Sequence, residues 1–127
     1  FYVQYAFARI NSLLRTLNIH LHSKINLNEE NLNLNNNEEK IIRKVFEWPK
    51  IIESSSKKFE PHKIPFYLYE LSTLFHAYWS KGNEDENYKF IENGKIKNKE
   101  TLVIIILVSI VIKRGMNILG VSLPERM

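Results

Sequence analysis

Cysteine is absent from the 127 residues of this chain, so neither a disulfide framework nor thiolate chemistry is available, which fits a reducing compartment. Glycine is scarce, at four residues, and none sits in a phosphate-cradling loop. Among the four histidines no pair has His-x-x-x-His spacing, and no Cys/His cluster stands ready to hold a metal. His20 and His22 bracket Leu21 near the end of a helical pattern; two positions apart they point differently, so a shared metal is not expected. His62 reads as a solvated residue at a helix start and His76 as a partly buried polar residue rather than a base. Charge of one sign does not dominate either. Eighteen Lys and Arg against 14 Asp and Glu leave +4, a mild lean toward polyanions that many non-binding proteins share. The longest near-continuous apolar run, Leu102 to Ile112, is too short for the ~20 residues that span a bilayer as a helix. A membrane-associated helix there is disfavoured by Glu100 before it and Lys113-Arg114 after it. No signal-peptide pattern is visible; the chain opens on Phe1-Tyr2-Val3 inside a helical pattern, as a piece of a longer protein would. No catalytic and no metal-binding residue follows from this inventory.

What the chain does have is a dense apolar segment toward its end. A run so rich in Val and Ile could be a fully buried strand, and periodicity alone does not exclude that. The flanks favour a helix. Leu102, Ile105, Ser109, Ile112, Met116 and Leu119 keep a spacing of three or four. Gly120 stands where a left-handed cap would end a helix, and Pro124 cannot resume it. The expectation is a long central helix, apolar on nearly all sides and covered by neighbours on several faces. Gly115 lies inside it at a cost of roughly 1 kcal/mol against Ala, which suggests a close approach by another backbone or by a ligand.

Other helices pack around it. Val3, Ala6, Phe7, Ile10, Leu13, Leu14 and Leu17 mark the core stripe of a helix over residues 2–17, with Tyr5 and Arg9 one turn apart on a more polar side. Residues 25–37 alternate Leu and Asn; Asn forms turns better than strands, so a variable loop over 20–37 is expected. Asn37 is placed to cap the next helix, with Glu38 and Glu39 on its first turn and Ile41, Ile42, Val45 and Phe46 as its stripe. Pro49 ends or kinks that helix, and a short one carries Ile51 and Ile52. Pro65 suits the first turn of a third long helix lined by Leu68, Leu71, Leu74, Phe75, Tyr78 and Trp79. Residues 80–99 read as a polar, lysine-bearing connector. The fold expected is all-α, a bundle of four to five helices in one domain over residues 1–127, with 20–37 and 80–99 as internal insertions.

Both ends carry a resemblance that periodicity does not supply. Tyr2-Val3-Gln4-Tyr5-Ala6-Phe7-Ala8-Arg9 resembles the Tyr-Val-Gln-Tyr-Ala-x-x-Arg signature of arginyl-tRNA synthetases, where the catalytic domain gives way to the C-terminal anticodon-binding bundle. Gly115 through Met127, closing on Glu125-Arg126-Met127, resembles that family's C-terminus. Between them, Pro61-His62 and the Tyr67-to-Trp79 segment are similar to the family's Pro-His and Tyr-Leu-x-x-Leu-Ala-x-x-Phe helix. Three motifs in order over nearly the whole chain make the resemblance specific.

The resemblance implies the DALR-type anticodon-binding bundle of a class I aminoacyl-tRNA synthetase. The whole enzyme would join arginine to its tRNA using ATP with magnesium, through arginyl-adenylate, in a catalytic domain upstream of these residues. This segment would supply recognition of the anticodon stem and loop of arginine tRNA and no chemistry. A cytoplasmic monomer without a membrane partner is the expected setting. The family's motif places Tyr5, Arg9, an aromatic here occupied by Trp79, and the terminal Met127 against the anticodon; Lys113, Arg114 and Arg126 are candidates for phosphate contact. On residue physics alone, Tyr5 and Trp79 read equally as packing residues, Arg9 as a surface charge and Met127 as a frayed tail. Two departures stand out. Trp79 replaces the usual Tyr and lacks its hydroxyl, and Thr101 stands where family members often carry Arg. The alternative is a non-catalytic helical protein-interaction module working through Trp48, Trp79 and the Leu/Asn loop.

Overall fold

The computed structural model describes residues 2–18 and 32–123. Five α-helices carry the fold: α1 (Tyr2–Thr16), α2 (Asn36–Phe46), α3 (Trp48–Lys57), α4 (Lys63–Glu84) and α5 (Lys99–Leu119). The all-α bundle is as expected. α4 and α5 pack on each other, α1 and α2 each pack on both, and α3 covers α4 and α2.

α5 is the centre. Val103 to Ile106, Val108, Val111 and Ile112 are buried, so its apolar breadth is spent on three neighbouring helices. At 21 residues it is long and apolar enough to cross a membrane by length and composition, but more than half of its most apolar window is buried inside the bundle. It is the core helix. Gly120 ends it with φ 68° and ψ 24°, the left-handed cap that the sequence announces. The close approach at Gly115 is that of a side chain. A Cβ there would stand 2.8 Å from both Leu68 methyls on α4, so the glycine lets a leucine knob of α4 seat against α5.

The start of α2 differs from expectation. The cap is Asn35, not Asn37: its side chain accepts from the Glu38 N–H at 2.9 Å, and Glu38 Oε1 accepts from the Asn35 N–H at 3.0 Å. This reciprocal box explains why Glu38 sits within the first turn. Glu38 is 2% exposed, and its other oxygen lies 2.6 Å from the Tyr78 hydroxyl. Tyr78 Oη is also 3.1 Å from Thr101 Oγ1. A phenol has one proton; with that proton on the carboxylate, the Thr101 hydroxyl donates in return. Burial, then the Glu38 carboxylate, pushes the Tyr78 phenol well above its usual range and keeps it protonated. Thr101, which departs from the resembled pattern, is thus a buried link of α5 to α4 and α2.

Pro49 falls in the first turn of α3, which begins at Trp48 directly after α2. Trp48 is buried and stacked on Tyr67 with centroids 5.4 Å apart. It therefore offers no surface to a partner, which removes one premise of the interaction-module alternative. The connector expected over 80–99 is more ordered than its composition suggests. α4 runs on to Glu84, a 3₁₀ turn covers Glu86–Tyr88, and β1 (Ile91–Glu92) pairs antiparallel with β2 (Lys95–Ile96). Asn93 and Gly94 take φ values of 53° and 75°, the two left-handed positions of a tight hairpin turn.

Candidate nucleic-acid interface

Helix periodicity puts Tyr5 and Arg9 on the same side of α1, one turn apart, while Ala6, Phe7 and Ile10 enter the core. Tyr5 is 49% exposed. Arg9 turns toward α4, where its Nη1 donates to His76 Nδ1 at 2.9 Å and its guanidinium carbon lies 5.6 Å from the Trp79 ring centroid. Arg9 on α1 thus meets His76 and Trp79, three residues apart on α4, across two elements.

The protonation of His76 follows from its partners. A guanidinium only donates, so Nδ1 accepts; Nε2 lies 3.1 Å from the Tyr2 carbonyl, which only accepts, so Nε2 carries the proton. Burial lowers the His76 pKa and the Arg9 charge lowers it further, against an opposing contribution from the Tyr2 carbonyl. The neutral ring also packs against Tyr2, with centroids 4.4 Å apart, and Tyr2 in turn lies 5.0 Å from Tyr69. His76 is half-buried as expected, but its use as the acceptor that aims Arg9 was not visible from sequence.

Trp79 is half-buried and packs on the core. Its ring meets Phe90 edge-on at 5.6 Å and 85°, and Phe75 lies 6.3 Å away. Tyr78, next in sequence, points the opposite way, into the Glu38–Thr101 contact. Trp79 is therefore anchored on one side and covered by a cationic plane on another. Lys113 and Arg114 are exposed on the last turns of α5, and no contact among the described residues ties them to the Arg9–Trp79 pair. Arg126 and Met127 lie outside the described residues, as do His20 and His22. The structure brings Arg9 and Trp79 together beside Tyr5, and adds His76, Tyr2 and Phe90 as their supports.

This geometry can be set beside known proteins. The family profile of the DALR anticodon binding domain matches residues 3–127. The arginine–tRNA ligase of Pelagibacter ubique is 44% identical over 127 residues, all of this chain and 22% of that protein. The arginine–tRNA ligase of Ruegeria pomeroyi is 39% identical over 133 aligned positions, again all of this chain and 23% of that protein. A solved Campylobacter jejuni structure, described as an arginyl-tRNA synthetase, superposes with a TM-score of 0.75 at 20% identity, over 99% of this chain and 26% of that one. The chain thus spans less than a quarter of the length of these curated relatives. With the bundle and the family profile in agreement over nearly every residue, the chain belongs to the DALR anticodon-binding domain family.

Proposed function

We propose that this chain is the anticodon-binding domain of an arginine–tRNA ligase and grips the anticodon stem and loop of arginine tRNA across Tyr5, Arg9 and Trp79. The observation that carries the reading is the Arg9 guanidinium laid over Trp79 and held by His76, one turn from the half-exposed Tyr5. Unstacked RNA bases are recognised by aromatic faces, guanidinium planes and hydrogen bonds to their edges, and this face offers all three. One of the five guanidinium N–H donors is engaged by His76, which leaves others for a base edge or a phosphate. Because Arg9 is already oriented, less side-chain freedom is lost when RNA binds.

Met127 and Arg126 complete the face in this reading, and Lys113 and Arg114 meet phosphates. Aminoacylation itself belongs to a catalytic domain upstream, which joins arginine to tRNA with ATP and magnesium through arginyl-adenylate. In this reading ATP and magnesium belong to that other part of the enzyme. The setting is the cytoplasm, with the enzyme a monomer.

The test is a titration of the chain with arginine tRNA, an anticodon-altered version and an unrelated tRNA, at two salt concentrations. Tighter binding to the native anticodon, weakened by Tyr5→Ala or Trp79→Ala, supports the reading. Equal binding to all three tRNAs would leave only electrostatics, and no binding at low salt would turn the reading to a protein-interaction module.

A further inference from the structure

Exposed apolar side chains are not spread evenly over the bundle. The contacts fix how its helices run. The Tyr2 ring lies 5.0 Å from Tyr69 and Arg9 reaches His76, so α1 and α4 start at the same end. Glu38 meets Tyr78 while Lys44 pairs with Glu70, so α2 runs the other way and finishes at that end. Phe46 is the last residue of α2, Phe59 lies in the turn before α4, and Phe66 and Tyr69 stand on the first turns of α4. All four are more than half exposed, and Tyr2 lies beside them. Among the described residues no large hydrophobic side chain from 80 to 100, at the hairpin end, is exposed. Phe59 holds its ring in water at φ 52°, a left-handed backbone that bulky residues rarely adopt, and the Ser55 hydroxyl braces that turn by donating to the Glu60 carbonyl at 2.8 Å.

We infer that this aromatic end is a docking surface for the domain that precedes Tyr2 in the longer ligase. The inference rests on the reading above, in which the catalytic domain lies upstream, and adds to it the face which that domain covers. Two observations select this occupant. One is position. The chain covers 22% and 23% of two curated relatives, and in that reading the upstream remainder joins at Tyr2, beside the exposed rings. The other is charge. No charged side chain precedes Arg9 on α1, and between Ile64 and Ser80 on α4 the only one is Glu70, which Lys44 holds. At the edge, Lys63 is held by Glu60 at 2.5 Å. Phosphates are gripped by Lys and Arg, so this strip suits an apolar protein surface rather than RNA. Five rings of about 150–250 Å² each, about half exposed, place on the order of 500 Å² of aromatic surface in water. That is one side's share of the roughly 600–1,500 Å² that interfaces between domains bury.

The chain has no cysteine, so a single introduced thiol reports its own burial. Phe66→Cys, Tyr69→Cys and, as the control at the hairpin end, Lys95→Cys are made in the 127-residue chain and in the full-length ligase. Maleimide labelling of each site is then timed by peptide mass spectrometry, with thermal melts to verify that the variants stay folded. In the short chain all three thiols should label at similar rates. In the full-length protein the thiols replacing Phe66 and Tyr69 should label about tenfold more slowly or less, because a covered thiol is out of reach, while the one replacing Lys95 keeps its rate. Unchanged rates at Phe66→Cys and Tyr69→Cys would overturn the docking surface. So would slowing in the short chain when an anticodon stem-loop of arginine tRNA is added, which would assign the rings to RNA. Slowing as the short chain alone is concentrated would assign them to a second copy and overturn it too. Protection in the full-length protein, with no binding of arginine tRNA by the short chain, would leave the docking surface standing and overturn the function proposed above.

Discussion

At position 76 a neutral imidazole accepts from Arg9 through Nδ1 and donates to the Tyr2 carbonyl through Nε2, so protonation would set a second N–H against a guanidinium. The burial of the ring, and then the Arg9 charge, depress the folded-state pKa. The unfolded chain titrates near the ordinary value of about 6.5, so between that value and the lower folded one the unfolded state binds more protons. The sign is then fixed. The contribution of His76 to stability is fully present above about pH 6.5 and is lost as pH falls through the folded value. Thermal melts between pH 7.5 and 5 should show this loss, and His76→Gln, which keeps an acceptor and a donor without titrating, should flatten it. A wild-type melting curve as flat as that of His76→Gln would reject the assigned tautomer. His76→Leu removes the acceptor altogether. Arg9 then loses its aim, and RNA affinity should fall by about 1 kcal/mol, roughly fivefold in Kd, in a titration at neutral pH.

Between helices, contacts of two kinds hold the elements that carry the face. One is polar: Glu38, Tyr78 and Thr101 tie α2, α4 and α5 together out of water. Tyr78→Phe would leave a buried carboxylate oxygen without its donor, at a cost of about 1–3 kcal/mol in urea unfolding. A smaller loss in a Glu38→Gln background would locate that cost in the carboxylate. The other is steric. Gly115→Ala gains up to about 1 kcal/mol of helix propensity but sets a methyl 2.8 Å from the ends of the fully buried Leu68 side chain, which must shift within the core. Overpacking of this kind costs about 1–3 kcal/mol, so net destabilisation is expected, and Leu68→Ala should reverse its sign. Stability gained by Gly115→Ala in the unaltered chain would show that α4 and α5 can part. The long helices were legible because three-and-four spacing survives any tertiary arrangement, and so was the glycine cap of α5. The hairpin was not, although Asn93-Gly94 is a strong turn signal, because strands of two residues among lysines show no alternation. The Asn35 box lost out to a run of three asparagines, any of which could cap. Tyr5 and Arg9 were legible as neighbours on α1. The meeting of Arg9 with His76 and Trp79 was not, since 67 residues separate Arg9 from its acceptor and spacing carries no information over that distance.

Across the whole molecule, one apolar helix is consumed as core and the net charge of +4 is left for the surface. A surplus that small cannot give specificity. It sets a background affinity for any polyanion, on which the Tyr5–Arg9–Trp79 face must add discrimination. The two contributions separate by salt. Each phosphate contact releases counterions and adds about 0.7 to 0.9 to the slope of log K against log salt, whereas stacking on a ring adds almost nothing. Lys113→Ala and Arg114→Ala should therefore weaken arginine tRNA and its anticodon-altered version equally and make both slopes shallower by about one unit each. Tyr5→Ala and Trp79→Ala should leave the slopes alone and shrink the difference between the two tRNAs. Slopes unchanged in Lys113→Ala and Arg114→Ala would remove the end of α5 from the phosphate path. Binding would then run along the hairpin side, where Lys89, Lys95 and Lys97 lie, and the same slope measured on alanine variants at those positions would identify which of them carry it.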